Sequence, residues 1–232
     1  MALTSIAFIP DGNRRFARFM NVSLAQAYRV GTQKAWQVID WLDNYQEVKI
    51  GTFYTLSQEN LERSQLELKA LFKIFERELD KIKQSQIFQE KEIKLKFIGN
   101  RSLLPKNLQN KMLEAEAMTA DHKRKQINLA IGYNGQQEIV DAAKKIAEQY
   151  KSSNLNLDGL NTKNFYDYLY ANFTPPDLIV RTSGAERLSA FLTYQSSYSE
   201  LAFINKYWPE LTEQDLDNTI QDYYHRTRTF GK

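Results

Sequence analysis

The side chains best equipped for chemistry fall in three short segments. The first is Pro10-Asp11-Gly12-Asn13-Arg14-Arg15, which follows the apolar run Ser5–Ile9. Gly12 lets backbone approach a ligand, Arg14 and Arg15 can clamp phosphate oxygens, and Asp11 can hold a hard cation. A helix starting there would add free N–H groups and a positive dipole end. The second, Arg181-Thr182-Ser183-Gly184-Ala185-Glu186-Arg187-Leu188-Ser189, sets two arginines among hydroxyls and a glycine, the makings of an anion cradle. The third is Tyr54-Thr55-Leu56-Ser57-Gln58-Glu59-Asn60, with Arg63 just beyond. Each has a plainer reading: an Asp-Gly turn with solvated arginines, a salt-bridged loop, and a helix cap at Ser57 or Asn60.

Composition narrows the chemistry further. The 232 residues include no cysteine and only two histidines, His122 and His225. A disulfide framework, a Cys-based zinc site, an iron–sulfur cluster and a thiol nucleophile are therefore excluded. Ser183 lies outside a Gly-x-Ser-x-Gly elbow and has few histidines to activate it, which argues against a serine hydrolase. The net charge of +3 gives little support to nucleic-acid binding, and Lys123-Arg124-Lys125 reads as a solvated face. Carboxylates, arginines, hydroxyls, amides and a hard metal ion are what remain.

These segments need elements to position them. Short β-branched runs at Ser5–Ile9, Val48–Tyr54, Ile93–Ile98, Gln126–Ile131 and Leu178–Val180 read as buried strands. Helical periodicity covers about 24–44, 65–89, 105–120, 136–150, 162–171 and 213–228, with Thr212 and Asp215 marking the last start. This alternation predicts an α/β fold, one domain over 1–232, with a mostly parallel central sheet flanked by helices. In such sheets ligands bind beyond the carboxyl ends of the strands, where all three segments fall. Leu68, Leu71, Phe72, Phe75, Leu79 and Ile82 form one helical stripe, destined either for the core or for the wall of an apolar cavity. Polar strand ends beside an apolar wall suggest a ligand with a phosphate head and an oily tail. Met1–Ile9 lacks the basic leading region of a signal peptide, no stretch reaches transmembrane length, and mean hydropathy is −0.56, so a cytoplasmic setting is expected.

Taken in order, these pieces resemble the cis-prenyltransferase, or undecaprenyl diphosphate synthase, family. The matching residues are Asp11–Ala17, Tyr54–Asn60 with Arg63, Asn128-Leu129-Ala130, Tyr133-Asn134-Gly135, Arg181–Gly184, Arg187-Leu188-Ser189, Gln195, Tyr198–Leu201 and Trp208-Pro209. The resemblance implies a homodimer, an apolar tunnel between sheet and helices, and Mg2+-dependent condensation of an allylic prenyl diphosphate with isopentenyl diphosphate. Carried over by position, Asp11 is a catalytic, metal-linked carboxylate and Glu200 the second metal-linked carboxylate. Gly12, Asn13 and Arg15 hold the allylic diphosphate; Arg181, Arg187 and Ser189 hold the isopentenyl head; Ser57, Asn60 and Arg63 position the reacting groups. Released diphosphate and a water on Asn60 are the two proton acceptors this leaves open. Contact with a membrane would come through the lipid product.

Several positions depart from the family pattern. Arg14 stands where Gly is usual, Phe16 where Trp is, and Leu24 and Tyr28 replace an Arg and a His. Leu61, Ala185 and Thr229 are further departures. One diphosphate arginine is thereby missing, and Arg14 is the residue placed to supply its charge. Val22-Ser23-Leu24 with Tyr28 is similar to irregular, lavandulyl diphosphate synthase-type members, which join isoprenoids head-to-middle. A non-catalytic partner subunit is the remaining alternative, but such subunits tend to lose the first aspartate, which is present here.

Overall fold

The computed structural model describes residues 2–84, 88 and 90–226. Expectations resting on Thr229–Gly231, on the end of the 213–228 helix and on part of 85–89 lie outside those residues.

Six parallel strands form one sheet: β1 Ser5–Ile9, β2 Ile50–Ser57, β3 Ile93–Ile98, β4 Lys125–Tyr133, β5 Leu178–Thr182 and β6 Glu200–Ile204. Their spatial order is β3-β4-β2-β1-β5-β6. The helices are α1 Asn13–Phe19, α2 Leu24–Trp41, α3 Gln65–Gln84, α4 Lys106–Met118, α5 Gly135–Lys151 and α6 Glu213–His225. The expected strands and five of the expected helices are present, with β2, β4 and β5 extended by two or three residues. The sixth is corrected: 162–171 holds only a 3₁₀ turn, Asn164–Tyr168, whose Phe165 and Tyr166 rings pack on Tyr194 rather than on the sheet. Two short elements, α1 and β6, had not been anticipated.

Alternation along β1 shows how the sheet serves two cores. Ile6 and Phe8 join the large core with α2, α3, α4 and α6, while Ala7 and Ile9 join a smaller one with Tyr54, Tyr133 and Phe191. Thr212 caps α6 in the anticipated capping box with Asp215. The parallel register, which aligns Ile9 with Arg181 and Ser57 with Tyr133, sends β1, β2, β4 and β5 out at one edge. The three chemically equipped segments therefore leave the sheet side by side. No helix among the described residues is long and apolar enough to cross a membrane.

Candidate active site

At that edge a cavity of about 730 Å3 opens between the sheet, α2 and α3. Every expected site residue except Glu200 lines it: Asp11, Gly12, Asn13, Arg14, Arg15, Ser57, Asn60, Arg63, Arg181, Arg187 and Ser189. The apolar stripe is split between the two readings given above. Leu71, Phe75, Leu79 and Ile82 line the cavity, whereas Leu68 is buried away from it. Phe53, Phe97, Leu129 and Ile131 supply the wall on the sheet side. The result is a charged mouth leading into an apolar tunnel.

Asp11 is the centre of the mouth. Its backbone is fixed by Thr182, whose Oγ1 accepts from the Asp11 N–H at 3.0 Å and donates to the Asp11 carbonyl at 2.8 Å. One carboxylate oxygen accepts from the Gly12 N–H at 2.7 Å, and the other from Arg181 Nη2 at 2.9 Å, with Arg15 Nη2 at 3.5 Å. Burial alone would raise the Asp11 pKa, but Arg181, the Gly12 N–H and Arg15 outweigh it and hold the carboxyl below its ordinary 3.8. Asp11 is therefore ionised at neutral pH. Gly12 is required: its φ is +105°, and a Cβ would lie 2.9 Å from the Tyr207 ring and 3.0 Å from Ser183 Cβ.

The arginines are held in different ways. Arg181 is 4% exposed; it donates to Asp11, to Ser189 Oγ at 3.0 Å and to the Arg187 carbonyl, and its Nε has no partner. Arg15 donates to the Ser183 carbonyl at 3.1 Å and to Ser183 Oγ, and lies over the Tyr207 ring. Arg14 and Arg187 are exposed at the mouth. The loop beyond β5 has an unusual backbone: Ser183, Ser189, Ala190 and Leu192 all have positive φ, between 47° and 76°. Side-chain-bearing residues rarely adopt this region, and each costs about 1–3 kcal/mol unless the surroundings enforce it. Here they do. Ser183 N–H donates to the Lys206 carbonyl at 2.7 Å, and the Ala190 carbonyl accepts from Gly135 N–H at 2.7 Å.

The third segment fulfils both of its readings. Ser57 Oγ caps the 3₁₀ turn that follows β2, accepting from the Asn60 N–H at 3.2 Å, and also accepts from Asn60 Nδ2 at 2.7 Å. Arg63 donates to the Tyr28 hydroxyl at 3.1 Å and pairs with Glu67 at 3.2 Å, while Tyr28 donates to Glu67 at 2.5 Å. Burial and the hydrogen bond to Glu67 push the Tyr28 phenol up, against Arg63 and Arg14, so it remains a donor at neutral pH. Tyr28, seen in the sequence only as a departure, thus ties α2 to α3 at the mouth. Glu67 was missed entirely, since it lies in no motif; the helical spacing of Arg63 and Glu67 was the available signal. Asn13 is seated by a second missed contact. Its buried Oδ1 has no hydrogen-bond partner and lies 2.2 Å from where a Cβ on Gly31 would stand.

Glu200 departs from its expected place. It opens β6 opposite Leu178, at the far end of the strands from Asp11, and pairs with Arg226 at 3.0 Å. A single chain does not bring the two carboxylates together, and any metal role of Glu200 lies outside this chain's own cavity. Among the described residues no cluster of three His, Cys, Asp or Glu could hold a metal. Asp11 nevertheless suits Mg2+, which takes one or two carboxylates and completes its octahedron with water and substrate phosphate.

Comparison with known proteins agrees with this geometry. Residues 9–231 match the prenyltransferase family model described as "Putative undecaprenyl diphosphate synthase". The chain is 38% identical over 232 residues to the geranylgeranyl-diphosphate-specific tritrans,polycis-undecaprenyl-diphosphate synthase of Pyrobaculum aerophilum, covering 99% of this chain and 96% of that one. It is 40% identical over 228 residues to the enzyme of the same description from Thermoplasma acidophilum, covering 98% and 88%. Among solved structures, lavandulyl diphosphate synthase from Lavandula x intermedia, in complex with dimethylallyl diphosphate, superposes with a TM-score of 0.94 at 30% identity, covering 100% of this chain and 99% of that one. "A probable undecaprenyl diphosphate synthase" from Campylobacter jejuni gives a TM-score of 0.81 at 28% identity, with 99% of each covered. With its arginine-rich mouth, its apolar tunnel and these matches over nearly its whole length, the chain belongs to the undecaprenyl diphosphate synthase family of prenyltransferases.

Proposed function

We propose that this protein extends an allylic prenyl diphosphate with isopentenyl diphosphate by cis condensation. The observation that carries the reading is the union of five cavity-lining arginines, Arg14, Arg15, Arg63, Arg181 and Arg187, with an apolar tunnel of prenyl dimensions. Gly12, Asn13, Arg14 and Arg15 receive the allylic diphosphate, with Arg14 supplying the charge missing at Leu24. Arg181, Arg187 and Ser189 receive the isopentenyl head. Mg2+, when bound by Asp11 and diphosphate oxygens, adds positive charge where the leaving group gains negative charge.

Ionisation breaks the allylic C–O bond, leaving its electron pair on diphosphate and a cation on carbon. The arginines and free N–H groups at the start of α1 stabilise the departing anion. The tunnel keeps water from the cation. The isopentenyl π bond attacks, a C–C bond forms, and a proton leaves the adjacent carbon. No histidine lines the cavity, so the arginine-held diphosphate is the base at hand, with Asn60 and Ser57 orienting the acceptor beside it.

Support for elongation comes from curated relatives that carry that activity at 38–40% identity. One observation favours a second reading, irregular head-to-middle coupling: the TM-score of 0.94 to lavandulyl diphosphate synthase. We further propose a homodimer through the open edge at β6, where Tyr198 is 69% exposed, and a cytoplasmic enzyme that meets membrane through its product. The test uses purified protein with Mg2+ and allylic diphosphates of five to twenty carbons, with and without isopentenyl diphosphate. Longer cis products only when isopentenyl diphosphate is present support elongation. Product from allylic diphosphate alone supports irregular coupling, and no diphosphate release from any pairing defeats both.

A further inference from the structure

One carboxylate interrupts the apolar wall that α3 gives the tunnel. Glu78 lines the cavity between Phe75 and Leu79. Its Oε2 accepts from Trp36 Nε1 of α2 at 2.7 Å, and its Oε1 accepts from Lys81 Nζ at 2.7 Å. The Glu78 side chain is 15% exposed and that of Lys81 66%. The wall here is therefore one side chain thick, with the cavity on one side and a solvated ammonium on the other. Trp36 also lines the cavity, and its indole is braced edge-on against Phe88, with ring centroids 5.6 Å apart at 87°. Burying a carboxylate against an apolar lining is unfavourable unless its oxygens are satisfied, and here each has a donor.

Position along the helices gives this contact its meaning. Tyr28 and Glu67 tie α2 to α3 at the mouth. Trp36 lies eight residues further along α2 and Glu78 eleven further along α3, which places the second tie about 12–16 Å deeper at 1.5 Å per residue. Between the two ties the helices meet through apolar side chains alone.

We propose that Trp36 and Glu78 form a latch over a lateral seam between α2 and α3, and that this latch determines how long an isoprenoid chain the tunnel accepts. A short chain ends above the latch and is indifferent to it. A long chain reaches it and is confined by the indole, unless the seam opens beside Lys81. The proposal rests on the prenyl diphosphate reading of the cavity.

The test compares wild type, Trp36→Ala, Glu78→Ala and Trp36→Phe. Diphosphate release is measured with allylic diphosphates of five, ten, fifteen and twenty carbons. Trp36→Ala and Glu78→Ala are expected to raise kcat/KM for the longest donor relative to the shortest about tenfold, the scale on which a hydrophobic pocket discriminates chain length. Trp36→Phe, which keeps bulk but loses the N–H, falls between. Unchanged length preference in both alanine variants, with wild type active, overturns the latch while leaving the prenyltransferase reading intact. Absence of release by wild type defeats that reading instead. The latch is then judged by thermal shifts with decyl and eicosyl phosphate, where only the longer probe should stabilise the alanine variants more than wild type. Equal shifts overturn it. Trp36→Leu replaces Trp36→Ala in both arms if the latter fails to fold.

Discussion

Replacing Asp11 by Ala tests the mouth in a way that activity alone cannot. Arg181, with its side chain 5% exposed, would lose its carboxylate partner at 2.9 Å and keep only Ser189 Oγ and the Arg187 carbonyl. Breaking a fully buried pair costs about 3–5 kcal/mol. The Asp11 side chain is 31% exposed, so solvent screening reduces this to about 2 kcal/mol. For a chain of this length that lowers Tm by about 4–8 °C. The loss is partial because Arg181 retains its other acceptors. The same change removes a negative charge that competes with any incoming anion for Arg181 and Arg15. Pyrophosphate in EDTA should therefore raise the Tm of the variant more than that of wild type, while prenyl transfer with Mg2+ is abolished. Differential scanning calorimetry, with and without pyrophosphate, reads both effects. An unchanged Tm, or a smaller pyrophosphate shift than wild type shows, would refute the partner exchange argued here. The pH dependence has a fixed sign. The folded pKa of Asp11 is depressed, so its contribution is complete above the ordinary value of 3.8 and is lost as pH falls through the lower folded value. Wild type and variant should converge in acid.

Other perturbations follow from the same geometry. Gly31→Ala favours helix by about 1 kcal/mol, yet its Cβ would stand 2.2 Å from Asn13 Oδ1. Steady-state kinetics should thus show loss of activity in a variant that unfolds at least as late as wild type. Tyr28→Phe removes the hydroxyl that bonds both Glu67 and Arg63; KM for the allylic diphosphate should rise about 5–10-fold with kcat little changed, on the scale of one charge-assisted hydrogen bond. Glu138 is 1% exposed, and burial raises its pKa above 4.5 against the hydrogen bonds from Tyr133, Gln195 and the Tyr170 N–H. Its burial is least unfavourable below pH 4.5 and weakens the fold as pH rises through the folded value, so Glu138→Gln should gain on wild type over that interval in urea titrations. The unpaired Gln195 Oε1 can accept from the new amide.

Some elements were legible because a single physical signal fixed them. Ser5–Ile9 and Ile93–Ile98 have the predicted bounds, each an apolar run closed by Pro10 or Gly99. The helix α1 was not legible: it has seven residues, and its cap is a left-handed Gly12 with no capping side chain. The strand β6 is a five-residue edge strand opening on Glu200, without the buried run that marks its neighbours. At 162–171 the aromatic spacing mimics a helix, but the rings stack locally and Pro175-Pro176 follow closely. The mouth was readable because parallel strands deliver their carboxyl ends together. Trp36, Glu67 and Glu78 were not, because their partnership needs to be known before α2 and α3 can be seen to face each other. The displacement of Glu200 has a similar cause, since a motif fixes order along the chain but not which end of a strand faces the site.

The left-handed residues of the loop after β5 carry a thermodynamic consequence for recognition. A loop held in several disfavoured backbone wells by hydrogen bonds to Lys206 and Gly135 has lost its freedom during folding, before any anion arrives. A diphosphate head meeting Arg181 and Ser189 therefore orders little further chain, and its affinity is spared the entropy loss of a loop that folds on binding. The molecule carries that cost permanently, as stability forgone in the free state. Glycine at Ala190 or Leu192 would recover about 1 kcal/mol or more of it and would loosen the cradle in the same stroke.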